Sequence, residues 1–218
     1  MPFGSNRYQI AVAPPLRTSQ TSANVSFDQK QEVISSPFLL AHIKADTNRQ
    51  LGMLSSVWAN WQNSQVTKLA HMITMQAKTS LDKVRAVYNW EAANIAYNFP
   101  EVSTVENYRW STTQETLATH EGICVDYSNV ADALLRAVGI PTQMVVGSAN
   151  DVGLAVADNG NVLHSWNRSC INGHWVYFDP TWSRIYLSQT QFVTGDQWFN
   201  PPTSLLDRTH HMMGIVMQ

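Results

Sequence analysis

The dipeptide Asn172-Gly173, set between the strand-like runs 162–171 and 174–179, constrains this chain more than any other feature. Asn-Gly between two such runs favours a two-residue type I′ turn, because both central residues must adopt positive φ and these two tolerate it at least cost. A two-residue loop also sets the register. Ile171 then opposes His174, so that Arg168 faces Tyr177 and Trp166 faces Asp179. His164 lies two residues from Trp166 on the same strand face. Asp179 becomes its diagonal neighbour at ~7 Å between Cβ atoms, close enough for a carboxylate to reach an imidazole nitrogen. A slip of one residue would send one of the two side chains to the other face of the sheet.

Upstream of this hairpin the apolar period is helical. From Val66 onward Leu69, Ala70, Ile73 and Ala77 recur at helix spacing, and Val84, Val87, Tyr88, Ala92 and Ile95 form a second run opening near Ser80 and Asp82, residue types suited to capping. A third run places Tyr127, Val130, Ala131, Leu134, Leu135 and Val138 on one face, with Asp132 and Arg136 expected to pair at i,i+4 outside it. Gly139 and Pro141 end that helix, and a strand-like run over 142–146 follows. Helices first and antiparallel strands afterwards predict an α+β fold, with N-terminal helices packed on an antiparallel β-sheet.

Residues 1–50 carry Pro14, Pro15 and Pro37 and no sustained apolar period, so they read as an N-terminal extension or wrapping arm; residues 51–218 read as one domain. An apolar content of 44% and eight tryptophans are enough for a single sizeable core. A net charge of −2 with scattered Lys and Arg offers no footprint for nucleic acid or an anionic membrane surface. No apolar run reaches the ~18 residues that membrane insertion needs. Low charge with abundant Ser, Thr, Asn and Gln leans toward a secreted or cell-envelope setting over a cytoplasmic one.

Chemistry concentrates on three residues. Cys124 stands at the start of the third helix, where unpaired N–H groups and the helix dipole favour a thiolate. His164 and Asp179, paired across the hairpin, have the relation of a general base to the acid that orients it. Cys170 shares the alternation of His164 but lies ~20 Å along the strand, and reads as structural. Trp166, Trp175 and Tyr177 share the His164 face and read as core packing or as cleft walls, with the core favoured of the two. Asp126 meets the helix dipole and needs no catalytic role, while Asn167 falls on the opposite strand face from His164. His210 and His211, being adjacent, point apart on a strand and have no third ligand at a useful spacing, so they read as a capping or packing feature and no metal site is expected.

Three separate blocks resemble the transglutaminase-like superfamily: TSLDKVRAVYNWEAANIAYN is similar to the helix before the cysteine, EGICVDYSNVADALLRAVGIPTQMVVG to the cysteine block, and HSWNRSCINGHWVYFDPTWS to the histidine and aspartate blocks. The likeness runs from about Val66 to Ser183, or on as far as His210. It implies a papain-like fold, Cys124 as nucleophile, His164 as base, Asp179 as orienting acid, a thioester intermediate, and no metal or organic cofactor. The implied substrate is a peptide or protein, with water or an amine as acyl acceptor. The Cys124 N–H is the natural first oxyanion donor. Papain-type enzymes place a glutamine about six residues before the cysteine, but Ala118 stands there, leaving Gln114 and Trp110 as candidates for the second donor. Two other functions compete: a catalytically silent module of this fold used for protein binding, and a secreted effector that deamidates a host protein.

Overall fold

Every residue from Cys124 to Arg136 is buried, which makes this helix the axis of the structure. The computed structural model describes residue 50 and residues 52–98, 110–150, 162–186 and 192–216. The extension expected over 1–50 lies outside the described residues apart from Gln50. In chain order the elements are α1 (Ser64–Ile73), α2 (Ser80–Asn94), β1 (Ala96–Tyr97), α3 (Thr113–Thr119), β2 (Glu121–Gly122), α4 (Cys124–Ala137), β3 (Thr142–Ala149), β4 (Val162–Ile171), β5 (His174–Phe178), β6 (Arg184–Tyr186), β7 (Phe192–Thr194), α5 (Thr203–Thr209) and β8 (His210–Val216). The sheet order is β5-β4-β3-β8, with all neighbours antiparallel.

Helix α4 packs against β3 and β4 on one side and against α1, α2 and α3 on the others. The sequence pattern predicts one apolar face with Asp132 and Arg136 outside it, but both side chains have no exposure at all. A helix enclosed on every side can keep such charges only as a satisfied pair. Asp132 Oδ2 accepts from Arg136 Nη2 at 2.7 Å and its Oδ1 from Asn167 Nδ2 at 2.9 Å. Arg136 also donates to the carbonyls of Thr142 and Leu54. The pair therefore ties α4 to β3, to β4 and to the segment before α1.

The local signals act as expected. Thr79 and Asp82 form a capping box at α2. Gly139, at φ 80°, closes α4, with the Ile140 N–H donating to the Leu135 carbonyl at 2.9 Å. Asn172 and Gly173 have φ 51° and 82°, as a type I′ turn requires, and Ile171 pairs with His174 and Arg168 with Tyr177. Strand β8 had no local signal, since it exists only by pairing with β3. Gly147 permits that pairing: a Cβ there would lie 2.1 Å from the His211 carbonyl oxygen and 2.9 Å from Trp166 Cη2.

One buried group opposes the fold. Glu91 on α2 is wholly buried, and neither carboxylate oxygen has a hydrogen-bond partner. Burial, with the nearby Asp132 and Asp179 charges, holds its pKa well above the usual carboxylate range. The unfolded chain ionises at ~4.3 while the folded one resists, so this group costs stability increasingly as pH rises above that point. Glu91→Met, of similar length but without the carboxyl, is expected to stabilise the protein by about 1–3 kcal/mol near pH 8 and to gain much less near pH 4. Urea unfolding at both pH values measures this; an equal gain at both would mean the carboxyl is not the source.

Candidate active site

Two element ends meet here. α4 opens at Cys124 directly after extended Ile123, so the free N–H groups of its first turn face the space before the helix. Asp126 folds back over this end: Oδ2 accepts from the Ile123 N–H at 2.9 Å and Oδ1 from the Ser111 N–H at 2.8 Å. Gly122 makes room, because a Cβ there would lie 2.7 Å from Asp126 Cβ. Asp126 therefore does more than meet the helix dipole. It also clamps the segment carrying Trp110 against the helix start.

Across from this end lies β4. Cys124 is 9% exposed, and its thiol lies beside the His164 imidazole and Ser165, both of which favour its ionised form. His164 Nε2 is 2.7 Å from Asp179 Oδ2, with both residues buried. Since Nε2 is engaged by the carboxylate, Nδ1 is the ring nitrogen left for the thiol. The contact between His164 and Asp179 is the one the hairpin register implies. The other carboxylate oxygen, Oδ1, accepts from the backbone N–H groups of Thr181 and Trp182 at 2.9 and 3.4 Å. His164 is stacked between Trp166 and Trp182, with ring centroids 6.1 and 5.2 Å away.

Several expectations need correction. His210 packs among tryptophans, as a packing role requires, but its Nε2 also lies 3.1 Å from the same Asp179 Oδ2. The third donor missing from the sequence spacing comes from the tertiary fold, and donor atoms of His164, Asp179 and His210 all lie within 4.8 Å of one another. The 2.7 Å separation is that of a hydrogen bond, shorter than the ~3.3 Å between ligand atoms around a tetrahedral zinc with bonds of ~2.0–2.1 Å. Of the two readings for Trp175 and Tyr177, core or cleft wall, the structure takes the second: both are half-buried and with Trp166, Leu206, His210 and Met212 line a groove of about 510 Å³. The other side of the sheet is occupied by α4, so these rings face outward. Asn167 does fall away from His164, toward Ser128 and Asp132.

Of the oxyanion candidates, Trp110 sits beside clamped Ser111 with its ring against Trp58, and Gln114 is half-buried in α3. A further residue has no sequence signal of a role here. Tyr97, whose strand pairs with Gly122, carries its hydroxyl to the backbone N–H of Cys124. Burial raises its pKa above that of an ordinary phenol, so it stays neutral and able to donate.

The model of the transglutaminase-like superfamily matches residues 67–180, more than half of the chain. This protein belongs to the transglutaminase-like superfamily. Human kyphoscoliosis peptidase is 25% identical over 121 residues, 55% of this chain and 18% of that protein, and the mouse protein is 24% identical over the same length. The chain thus spans less than a fifth of the curated relatives it matches. A Cytophaga hutchinsonii protein proposed to be a cysteine protease aligns at TM-score 0.52 and 23% identity, over 70% of this chain and 47% of that one. The periplasmic domain of TgpA from Pseudomonas aeruginosa aligns at TM-score 0.46 and 20% identity, over 63% of this chain and 48% of that one. The fold is the papain-like, transglutaminase-like one. No described helix is long and apolar enough to cross a membrane.

Burial and neighbouring charge act in opposite senses at this transglutaminase-like site. Burial depresses the His164 pKa, but the Asp179 charge and hydrogen bond, with the Cys124 thiol, outweigh it and push it up to about 10. Burial likewise raises Asp179, yet the two imidazoles hold it well below the usual carboxylate range. The Cys124 thiol, raised by burial, is brought below its ordinary value by His164. For stability the raised histidine contributes fully below ~6.5 and loses its contribution as pH climbs through its folded value. The lowered aspartate contributes above ~3.9 and loses its contribution as pH falls below that. Both act in full between these limits. Asp179→Asn is expected to cost about 3 kcal/mol within that window and progressively less as pH rises from ~6.5 toward the folded His164 value of about 10. Denaturant unfolding across pH tests it, and a loss independent of pH would refute the charge pairing.

Proposed function

We propose that this protein is a cysteine-dependent acyl-transfer enzyme acting on carboxamide or peptide bonds, with Cys124 as nucleophile, His164 as base and Asp179 orienting the imidazole. The observation that carries the reading is the buried His164, bonded to Asp179 at 2.7 Å on one side and within reach of the Cys124 thiol on the other. A thiolate beside an imidazolium is the reactive form of such a pair.

The steps follow from these positions. The Cys124 sulfur attacks the carbonyl carbon, the C–S bond forms, and the carbonyl oxygen takes up negative charge. The Cys124 N–H is the first donor to that oxygen. The Tyr97 hydroxyl oxygen accepts from this N–H in the free protein; once the N–H turns to the oxyanion, the hydroxyl beside it donates its own proton as the second, in preference to Trp110 or Gln114. His164 passes its proton to the departing nitrogen as the C–N bond breaks, leaving a thioester on Cys124. Water or an amine then gives a proton to His164 and attacks the thioester; the C–S bond breaks and the ion pair is restored. Asp179 keeps its charge throughout and stabilises the imidazolium. A peptide or protein is the substrate class that fits this chemistry.

Alkylation by iodoacetamide, followed at each cysteine by mass spectrometry from about pH 4 to 9, tests the reading. Cys124 is expected to react well below pH ~7, faster than Cys170, and to slow about tenfold or more at acidic pH in His164→Ala. Equal rates at both cysteines, or a Cys124 indifferent to His164→Ala, would sink the proposal in favour of a binding module. Tyr97→Phe is expected to lower turnover of an accepted peptide amide by about 10²-fold with little change in Cys124 alkylation, because the alkylating agent develops no oxyanion. A variant that turns over normally would return the role to Trp110.

A further inference from the structure

Asp179 Oδ2 serves two imidazoles, and only one of them reaches the thiol. His210 Nε2 stands 3.1 Å from this oxygen, on a side chain with no exposure. An ionised carboxylate only accepts, so Nε2 carries a proton and donates it to Asp179. The ring cannot turn away. Its Nδ1 is bonded to Thr209 Oγ1 at 2.9 Å, and Trp166, Trp182 and Trp198 press on it at centroid distances of 4.9, 4.5 and 5.0 Å. Strand β8 brings it here by pairing His210 with Ala149, two residues from Gly147, whose missing Cβ leaves room for the His211 carbonyl. A buried imidazole held at both nitrogens and packed by three indoles is a built feature of the site.

We propose that His210 is a positioning residue: its Nε2–H holds Asp179 Oδ2 in place and takes a share of its negative charge, moderating how tightly Asp179 retains the proton of His164. The inference rests on the acyl-transfer reading of Cys124 and His164. A buried carboxylate oxygen that accepts one hydrogen bond pulls harder on its single donor than one that divides its charge between two. His164 must release its proton to the departing nitrogen and recover it in each cycle, so an imidazolium bound too tightly by Asp179 would act poorly as an acid. The titratable groups around this carboxylate are His164 from β4, His210 from β8, Cys124 at the start of α4, Tyr88 and Glu91 from α2, and Tyr97 from β1.

Two substitutions separate the hydrogen bond from the packing. His210→Phe keeps an aromatic ring among the tryptophans without a donor, and His210→Gln keeps an N–H at similar reach without the ring. Each is made in the full chain carrying Cys124→Ala, which removes the thiolate, and the His164 ring is titrated by long-range ¹H–¹⁵N NMR. His210→Phe is expected to raise the His164 midpoint by about half a unit, or threefold in proton affinity, and His210→Gln to restore it. If His210→Phe does not fold, Thr209→Val, which frees Nδ1 and loosens the ring, is expected to move the midpoint the same way by less. An unchanged or lowered midpoint in a folded variant overturns the proposal. So does equal loss of thermal stability in the Phe and Gln variants with no movement of His164, which would assign His210 to packing alone. The underlying reading is judged separately, by whether Cys124 alkylation in the otherwise unaltered chain depends on His164; failure there is distinct from failure of the His210 variants.

Discussion

The burial of α4 between the sheet and the helical layer is the constraint on which the remaining structure depends. Its apolar face packs into the core with Val84, Val87 and Tyr88 of α2 and with Val66 and Ala70 of α1. Its charged pair points into the sheet, where Asn167 and the Thr142 carbonyl complete the bonding. An ion pair taken wholly out of water contributes little net stability, but a partner left alone would be costly, so the pair selects one alignment of helix against strand. That alignment decides where Cys124 stands relative to β4, and with it whether a thiol meets His164 at all.

The second level is the charge at Asp179. This carboxylate stays ionised in a place where burial favours protonation, because four donors converge on it: two backbone N–H groups on one oxygen and two imidazoles on the other. The tryptophans around it exclude water and hold both rings by their faces and edges. Low dielectric strengthens each of these bonds and makes each missing one expensive. Glu91 shows the contrast within the same interior, a carboxyl with no donor whose pKa burial pushes well above the usual carboxylate range.

Local elements were readable because local rules govern them. The Thr79 and Asp82 cap, the Gly139 terminus and the Asn172-Gly173 turn each involve residues a few positions apart, where backbone geometry leaves few choices. The contact between His164 and Asp179 was readable too, because a two-residue turn propagates its register a few pairs along the strands. Strand β8 was not: its Met212 and Met213 are exposed, so no alternation marks it, and its partner β3 is distant in sequence.

The sequence by itself determined the α+β order, the hairpin register, a cysteine at a helix start, and the family to which these blocks belong. Tertiary structure alone decided that Asp132 and Arg136 lie inside the protein, that Trp175 and Tyr177 line a groove, and that Tyr97 reaches the Cys124 amide. It also brought His210 to the carboxylate already engaged by His164. The division follows from range. Periodicity and turn chemistry record what neighbouring residues require of the backbone, whereas burial on all sides and the meeting of distant strands depend on packing surfaces that no short segment contains.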